Sequence, residues 1–161
     1  MAKIIPNKKF MRIALSQAFQ GAKKGAGGPF GCCIVKGNRV IAKTHNTVLK
    51  KKDPTAHAEI NAIVKAAKAL RKYDLSDCVL YATTEPCPMC FSAIHWARLQ
   101  GVIYGTEIKE VAKLGFNELS ISAARLKKLG KSGVKIKKGF LYKECKKLLE
   151  FWEALPAKKA Y

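Results

Sequence analysis

Two short stretches of this chain hold residue types and spacings that could do chemistry. His57-Ala58-Glu59 opens an apolar-patterned segment, and Cys87-Pro88-Met89-Cys90 follows thirty residues later. Cysteines at i and i+3 share one side of a helical turn. Pro86 and Pro88 are tolerated where a helix begins, because the first N–H groups there have no intrahelical acceptor. One imidazole and two thiolates are three good zinc ligands. A structural zinc site closes with four protein ligands, whereas a catalytic one keeps a position for water, whose pKa falls from about 15.7 to about 7 on the metal. Glu59, as a carboxylate that does not bind the metal, would take that water's proton and pass it on. Residues i and i+2 do not share a face of a helix. His57 must therefore sit in the first turn's frayed end, or reach around it, to meet Glu59.

Other readings of the same residues stay open. A redox Cys-x-x-Cys pair accounts for the thiols but leaves His57 and Glu59 without a role. A closed structural site needs a fourth ligand, and His45 and His95 are the remaining histidines; both read as packing or surface residues. Cys32, Cys33, Cys78 and Cys145 lie in or beside apolar runs and read as small core residues.

The elements that would position this cluster follow from hydrophobic periodicity. Residues 7–24 place Phe10, Ile13, Ala14, Leu15, Ala18 and Phe19 on a helical stripe. The glycine-rich GAGGPFG (25–31) ends it. Residues 32–46 read as two strands joined by a turn at Lys36-Gly37-Asn38-Arg39. Residues 53–70 read as a helix with Thr55 as cap and Ile60, Ile63, Val64 and Ala67 as its buried stripe. A strand over 77–84, a helix from Cys87 to Ala97 and a strand over 101–107 make a parallel crossover. Short helical pieces over 109–129 flank a turn at Leu114-Gly115-Phe116-Asn117. A loop with one further strand and an amphipathic helix over 141–155, ended by Pro156, complete the chain. The expected architecture is one α/β domain over 1–161, a mixed sheet sandwiched by helices.

With 161 residues, 48% of them hydrophobic, the chain can bury a sizeable core. No run approaches the twenty apolar residues of a membrane span, and the N-terminus has no clean secretory pattern. Six cysteines without such a signal suggest thiols in a reducing compartment, hence a cytoplasmic location. The formal net charge is +20. Residues 1–52 carry twelve basic and no acidic residues, 53–119 seven basic and eight acidic, and 120–161 twelve basic and three acidic. The basic flanks could attract nucleic acid. Lysine nevertheless outnumbers arginine heavily, and no arginine-rich or aromatic-interleaved motif appears, so a solvated lysine surface is the favoured reading.

The pattern H-x-E…P-C-x-x-C is a signature of zinc-dependent nucleobase deaminases. The chain resembles the cytidine-deaminase superfamily, and within it the small bacterial guanine deaminases. GGPFG (27–31), Asn46, DPTAHAEI (53–60), EPCPMC (85–90), AIHWAR (93–98) and the final AKKAY carry that resemblance. It implies a three-layer α/β/α sandwich with a mixed central sheet. It implies one zinc ion per chain on His57, Cys87 and Cys90, with Glu59 as proton shuttle. Asn46 and the backbone N–H of Ala58 would hold a purine edge. Phe30 and Trp96 would serve either core or pocket. The family has an aspartate after a Gly-Phe turn that binds the guanine amino group and helps move protons; by spacing Glu118, one methylene longer, would take that catalytic place here. The resemblance also implies a homodimer in which the 141–161 segment is swapped onto the partner and Tyr161 reaches the ligand.

The function so implied is hydrolytic deamination of a free nucleobase, guanine to xanthine and ammonia. The competing readings are a tRNA adenosine-34 deaminase, a deaminase of guanosine, cytosine or another aminated ring, and a non-catalytic zinc or nucleic-acid-binding domain. A tail covering the site does not suit a polymeric substrate, so nucleic acid is not favoured as partner. The intact Glu59 argues against a purely structural site.

Overall fold

A computed structural model of the protein describes residues 4–161. The first three residues of the N-terminal stretch read above for targeting signals lie outside the described residues.

Helix α1 (Lys8–Lys23) starts where Asn7 accepts the Lys9 N–H through its side chain. Strands β1 (Gly31–Lys36) and β2 (Arg39–His45) form an antiparallel hairpin. A short α2 (Val48–Lys51) precedes α3 (Ala58–Leu70). Strand β3 (Cys78–Thr84), α4 (Pro88–Trp96) and β4 (Gly101–Thr106) make the expected parallel crossover. Helices α5 (Ile108–Ala112) and α6 (Ala123–Leu129), strand β5 (Lys135–Lys137) and α7 (Tyr142–Glu153) follow.

The five strands stand in the order β2-β1-β3-β4-β5, with β1 antiparallel to both neighbours and β3, β4 and β5 parallel. Side chains alternate between two cores, as the two-residue strand period requires. Cys32, Ile34, Leu80, Ala82, Val102 and Tyr104 share a core with the inner faces of α3 and α4. Cys33, Val35, Tyr81 and Ile103 face α1 and α7 instead. A sheet covered on both sides explains why β1 is apolar at nearly every position. The backbone of α1 approaches β1 so closely that a Cβ on Gly31 would stand 2.6 Å from the Ala18 nitrogen. All six cysteines are free and buried.

Two local expectations are corrected. The cap of α3 is His57, with extended dihedrals, whereas the Thr55 hydroxyl turns back to Asp53 at 2.7 Å. The buried face of α3 is Ala58, Glu59, Ala62 and Ala66, and Val64 is 48% exposed. Small alanines allow α3 to lie close on the β1–β2 hairpin, so the larger apolar residues Ile60 and Ile63 end half-buried at its flanks.

The strand directions bring one end of the sheet into focus. The carboxyl ends of β2, β3 and β4 and the start of β1 all lie at the same edge. Ligand sites in α/β proteins favour such strand ends. Among the described residues, no helix is long and apolar enough to cross a membrane.

Candidate active site

His57 and Cys87 are both N-caps, of α3 and α4. An N-cap has extended dihedrals while its side chain lies over the first turn, so His57 can meet Glu59, two residues on, without sharing its helical face. Pro88 at the first helical position fixes how the chain enters α4. Cys90 then projects from the same turn as Cys87.

The His57 Nδ1 lies 3.7 Å from Cys87 Sγ and 3.5 Å from Cys90 Sγ. A tetrahedral zinc ion with ordinary Zn–N and Zn–S bonds separates such atoms by about 3.6 Å. The donor set and its spacing therefore fit zinc, and these are the residues that would hold it. Two helix N-termini point their partial positive charge at the cluster, which favours thiolates. The two thiols are unequal. The hydrogen bond from Cys90, followed by that from the His57 ring N–H, lowers Cys87 to about 4. Cys90, donating that bond and deeply buried, is raised.

Glu59 stands at the second position of α3 and is only 8% exposed. Burial raises its pKa, against the lowering pull of His57. A carboxylate poised above its usual range is suited to taking and returning a proton near neutral pH.

A cleft of about 760 Å³ opens in front of His57 and Cys87, bounded also by Phe116, Glu118 and Tyr161. Such a volume suits a small heterocycle. Burial pushes Glu118 up to about 7, with the Cys87 and Glu59 charges adding to the effect, and its Oε2 has no hydrogen-bond partner. Asn46 is fully buried at the end of β2. Its Oδ1 accepts the Val48 N–H at 3.0 Å, while its Nδ2 has no partner. A buried donor left unmatched costs free energy unless a ligand satisfies it. The Ala58 N–H is one of the first groups of α3, which have no intrahelical acceptor.

The tail folds back on its own chain. Tyr161 O accepts the Asn117 N–H at 3.0 Å, and its hydroxyl accepts the Gly28 N–H at 3.3 Å. The hydroxyl also approaches the Asn46 side chain, short of a well-formed hydrogen bond. The Tyr161 ring meets Phe116 edge-on at 5.3 Å.

Of the aromatic candidates, Phe30 is buried and packs behind Phe116 at 5.1 Å, as a core support of the cleft wall. Trp96 is corrected: it is 81% exposed on the outer face of α4 and belongs to neither core nor cleft. The helix turns the face bearing Cys90, Phe91 and Ile94 inward, which leaves Trp96 outside. Neither other histidine joins the metal cluster: His45 is half-buried at the end of β2, and His95 Nδ1 lies 3.0 Å from Ser132 Oγ.

The sequence reading missed two residues that hold the site. Asn61 Nδ2 donates to His45 O, Thr47 Oγ1 and Ala56 O, tying down both flanks of Asn46 and the approach to His57. Glu85, 5% exposed, accepts the Ile108 and Ala123 N–H groups at 3.1 and 2.9 Å. An acidic residue directly before the Pro-Cys pair was the only signal for the second.

A mixed sheet whose strand ends present a His-Cys-Cys cluster beside a buried glutamate defines a zinc-dependent hydrolytic site. Residues 5–106 match the cytidine and deoxycytidylate deaminase zinc-binding region, and the chain belongs to this family. It is 47% identical over 112 residues to a guanine deaminase of Bacillus subtilis (strain 168), covering 70% of this chain and 72% of that protein. It is 35% identical over 141 residues to a tRNA-specific adenosine deaminase of Buchnera aphidicola subsp. Schizaphis graminum, covering 87% and 89%. The X-ray structure of the Bacillus subtilis guanine deaminase matches with a TM-score of 0.68 at 46% identity, over 71% of this chain and 73% of that one. A guanine deaminase structure from Nitrosomonas europaea matches with a TM-score of 0.85 at 25% identity, over 95% and 88%.

Proposed function

We propose that the protein deaminates free guanine to xanthine and ammonia. The observation that carries this reading is the tail: Tyr161, anchored at Gly28 and Asn117, lines the same cleft as His57, Cys87 and Glu118. That arrangement leaves room for a single base but obstructs a polynucleotide. The 47% identity to a guanine deaminase supports the same choice.

Zinc, when bound, supplies an activated water for attack at C2 of the purine. Glu59 takes a proton from that water and delivers it to the adjacent ring nitrogen. The second proton of the same oxygen goes through Glu59 to the departing amine, which leaves as ammonia while the C2–O bond becomes a carbonyl. Asn46 Nδ2 donates to an acceptor on the purine edge, and the Ala58 N–H does the same. The unpartnered Glu118 oxygen accepts from the guanine amino group. Tyr161 closes the cleft and excludes water, which strengthens each of these interactions.

The protein works as a homodimer in this reading, in a reducing cytoplasmic compartment consistent with six free thiols. The outward-facing Trp96 and Met89 of α4 and Val64 of α3 give it apolar surface for such contact. Exchange of the 141–161 tail between subunits is read out by mixing Glu59→Gln and Tyr161→Ala proteins under subunit exchange. Activity above the sum of the two separate proteins shows a swapped tail, and activity no higher than that sum shows one serving its own chain.

The test is a substrate panel of guanine, guanosine, adenine, cytosine and an adenosine-34 tRNA stem-loop, with zinc-loaded protein and ammonia release as readout. Xanthine from guanine is expected. Inosine in the stem-loop with guanine untouched overturns the reading.

A further inference from the structure

We infer that Glu85 is a positioning residue for Glu118 and Phe116, setting the 107–123 segment against the metal ligands; this rests on the function proposed above. Glu85 ends the β3 strand side of the site, two residues before Cys87. It is one of the few charged residues buried in the protein, and it makes no ion pair among the described residues. Its two oxygens are used on two different helices. Oε2 accepts the N–H of Ile108, the first residue of α5, and Oε1 accepts the N–H of Ala123, the first residue of α6. Both bonds use orphan donors at helix starts, where a carboxylate also meets favourable partial charge.

Those two amides bracket the segment that forms one wall of the cleft. Between them lie Phe116, whose ring touches Phe30, Trp152 and Tyr161, and Glu118, whose carboxylate faces the ligand cluster. Burial and the neighbouring Glu85 carboxylate push the Tyr104 phenol well above its ordinary range, so Tyr104 stays a neutral wall beneath Glu85. Glu85 and Glu118 line the same second cleft of about 570 Å³, which is bounded largely by this segment. That space gives the segment room to sink away from the ligands if its ends are released. One carboxylate thus fastens both ends of the wall to the strand that delivers Cys87.

The test uses Glu85→Gln, Glu118→Gln and the double variant, each zinc-loaded. Glutamine keeps one acceptor oxygen but turns an amide N–H₂ toward a backbone N–H, so one clamp is lost while size is kept. Three quantities are measured: zinc per chain, kcat and KM for guanine, and hydrogen exchange of the 107–123 amides. The expected result is unchanged zinc content and a loss in kcat/KM of about tenfold to a hundredfold, the range for losing a charge-assisted hydrogen bond. In the Glu118→Gln background the same change costs no more than about threefold, because coupled residues are non-additive. Exchange rises at Ile108 or Ala123, whichever bond is lost, and at the residues between, and stays as in the unmodified protein in α3 and β3. Equal losses in both backgrounds, zinc loss from Glu85→Gln, or unchanged exchange overturns the inference. If the unmodified protein does not turn over guanine, the functional reading fails, and the exchange measurement alone decides whether Glu85 clamps the segment.

Discussion

Tyr161 provides the most quantitative handle on how the site closes. Its ring contact with Phe116 is edge-on at 5.3 Å, a geometry worth about 0.5–1.5 kcal/mol. The hydrogen bond from Gly28 N–H to its hydroxyl, at 3.3 Å, adds about 0.5–1.5 kcal/mol. Tyr161→Ala removes both, about 1–3 kcal/mol in favour of an open tail. If closure is needed for the chemistry, that corresponds to a loss of about fivefold to 150-fold in kcat/KM. Tyr161→Phe removes only the hydroxyl and costs about two- to tenfold. The Asn117–Tyr161 backbone bond remains in both variants. Steady-state kinetics on guanine with zinc-loaded protein measures this, alongside thermal unfolding. A tail that opens locally exposes little of the core, so Tm shifts by no more than about 4 °C. A Tyr161→Ala protein with unchanged kcat/KM refutes the closing role of the tail. A loss of activity matched by a large fall in Tm refutes the assignment of the effect to closure.

Further outcomes follow from the packing, the surface charge and the buried amide. Gly31→Ala places a Cβ 2.6 Å from the Ala18 nitrogen, against backbone that cannot yield, and is expected to cost about 2–3 kcal/mol, a fall of about 4–12 °C in Tm by calorimetry. Asp77 lies 2.7 Å from Lys36 Nζ and 2.9 Å from Lys72 Nζ, whose hydrogen bonds hold its carboxyl well below the usual range. Because the charged form is favoured on folding, its contribution is full above the unfolded pKa of about 3.9 and is lost as pH falls through the lower folded value. Asp77→Asn therefore destabilises by about 0.5–1 kcal/mol at pH 7 in low salt, and denaturant titrations show the difference shrinking below about pH 4 and in high salt. Asn46→Ala removes a buried amide whose Nδ2 has no protein partner; if that group binds the base as proposed, KM for guanine rises about tenfold while zinc content stays unchanged. An unchanged KM shows that Asn46 does not touch the base.

How legible these features were in the sequence depended on how local their causes are. The β1–β2 hairpin rests on a turn at Gly37-Asn38 and the β3-α4-β4 crossover on one apolar strand, one Pro-started helix and another strand, so both were readable. The metal cluster was readable because its ligands sit at fixed spacings at the starts of α3 and α4. The face of α3 was misjudged because hydrophobicity ranks Ile60 and Val64 above alanine, whereas close packing on the hairpin selects for small side chains. Trp96 was misplaced because its burial depends on how α4 is rotated, and the sequence around it is apolar on nearly all sides. The role of Asn61 was invisible and that of Glu85 marked only by its place before Pro86-Cys87, since most of their partners are backbone groups brought together only by the tertiary fold.

The central claim is that Glu59 moves protons at a site where His57, Cys87 and Cys90 hold the metal. The direct measurement is zinc content and guanine turnover of the Glu59→Gln protein. Glutamine preserves size and leaves the three metal ligands in place, so zinc is expected to remain at the level of the unmodified protein and the fold to be retained. Turnover is expected to fall by about a hundredfold to ten-thousandfold, the usual contribution of a general acid–base group. Full zinc occupancy with unchanged turnover contradicts the account.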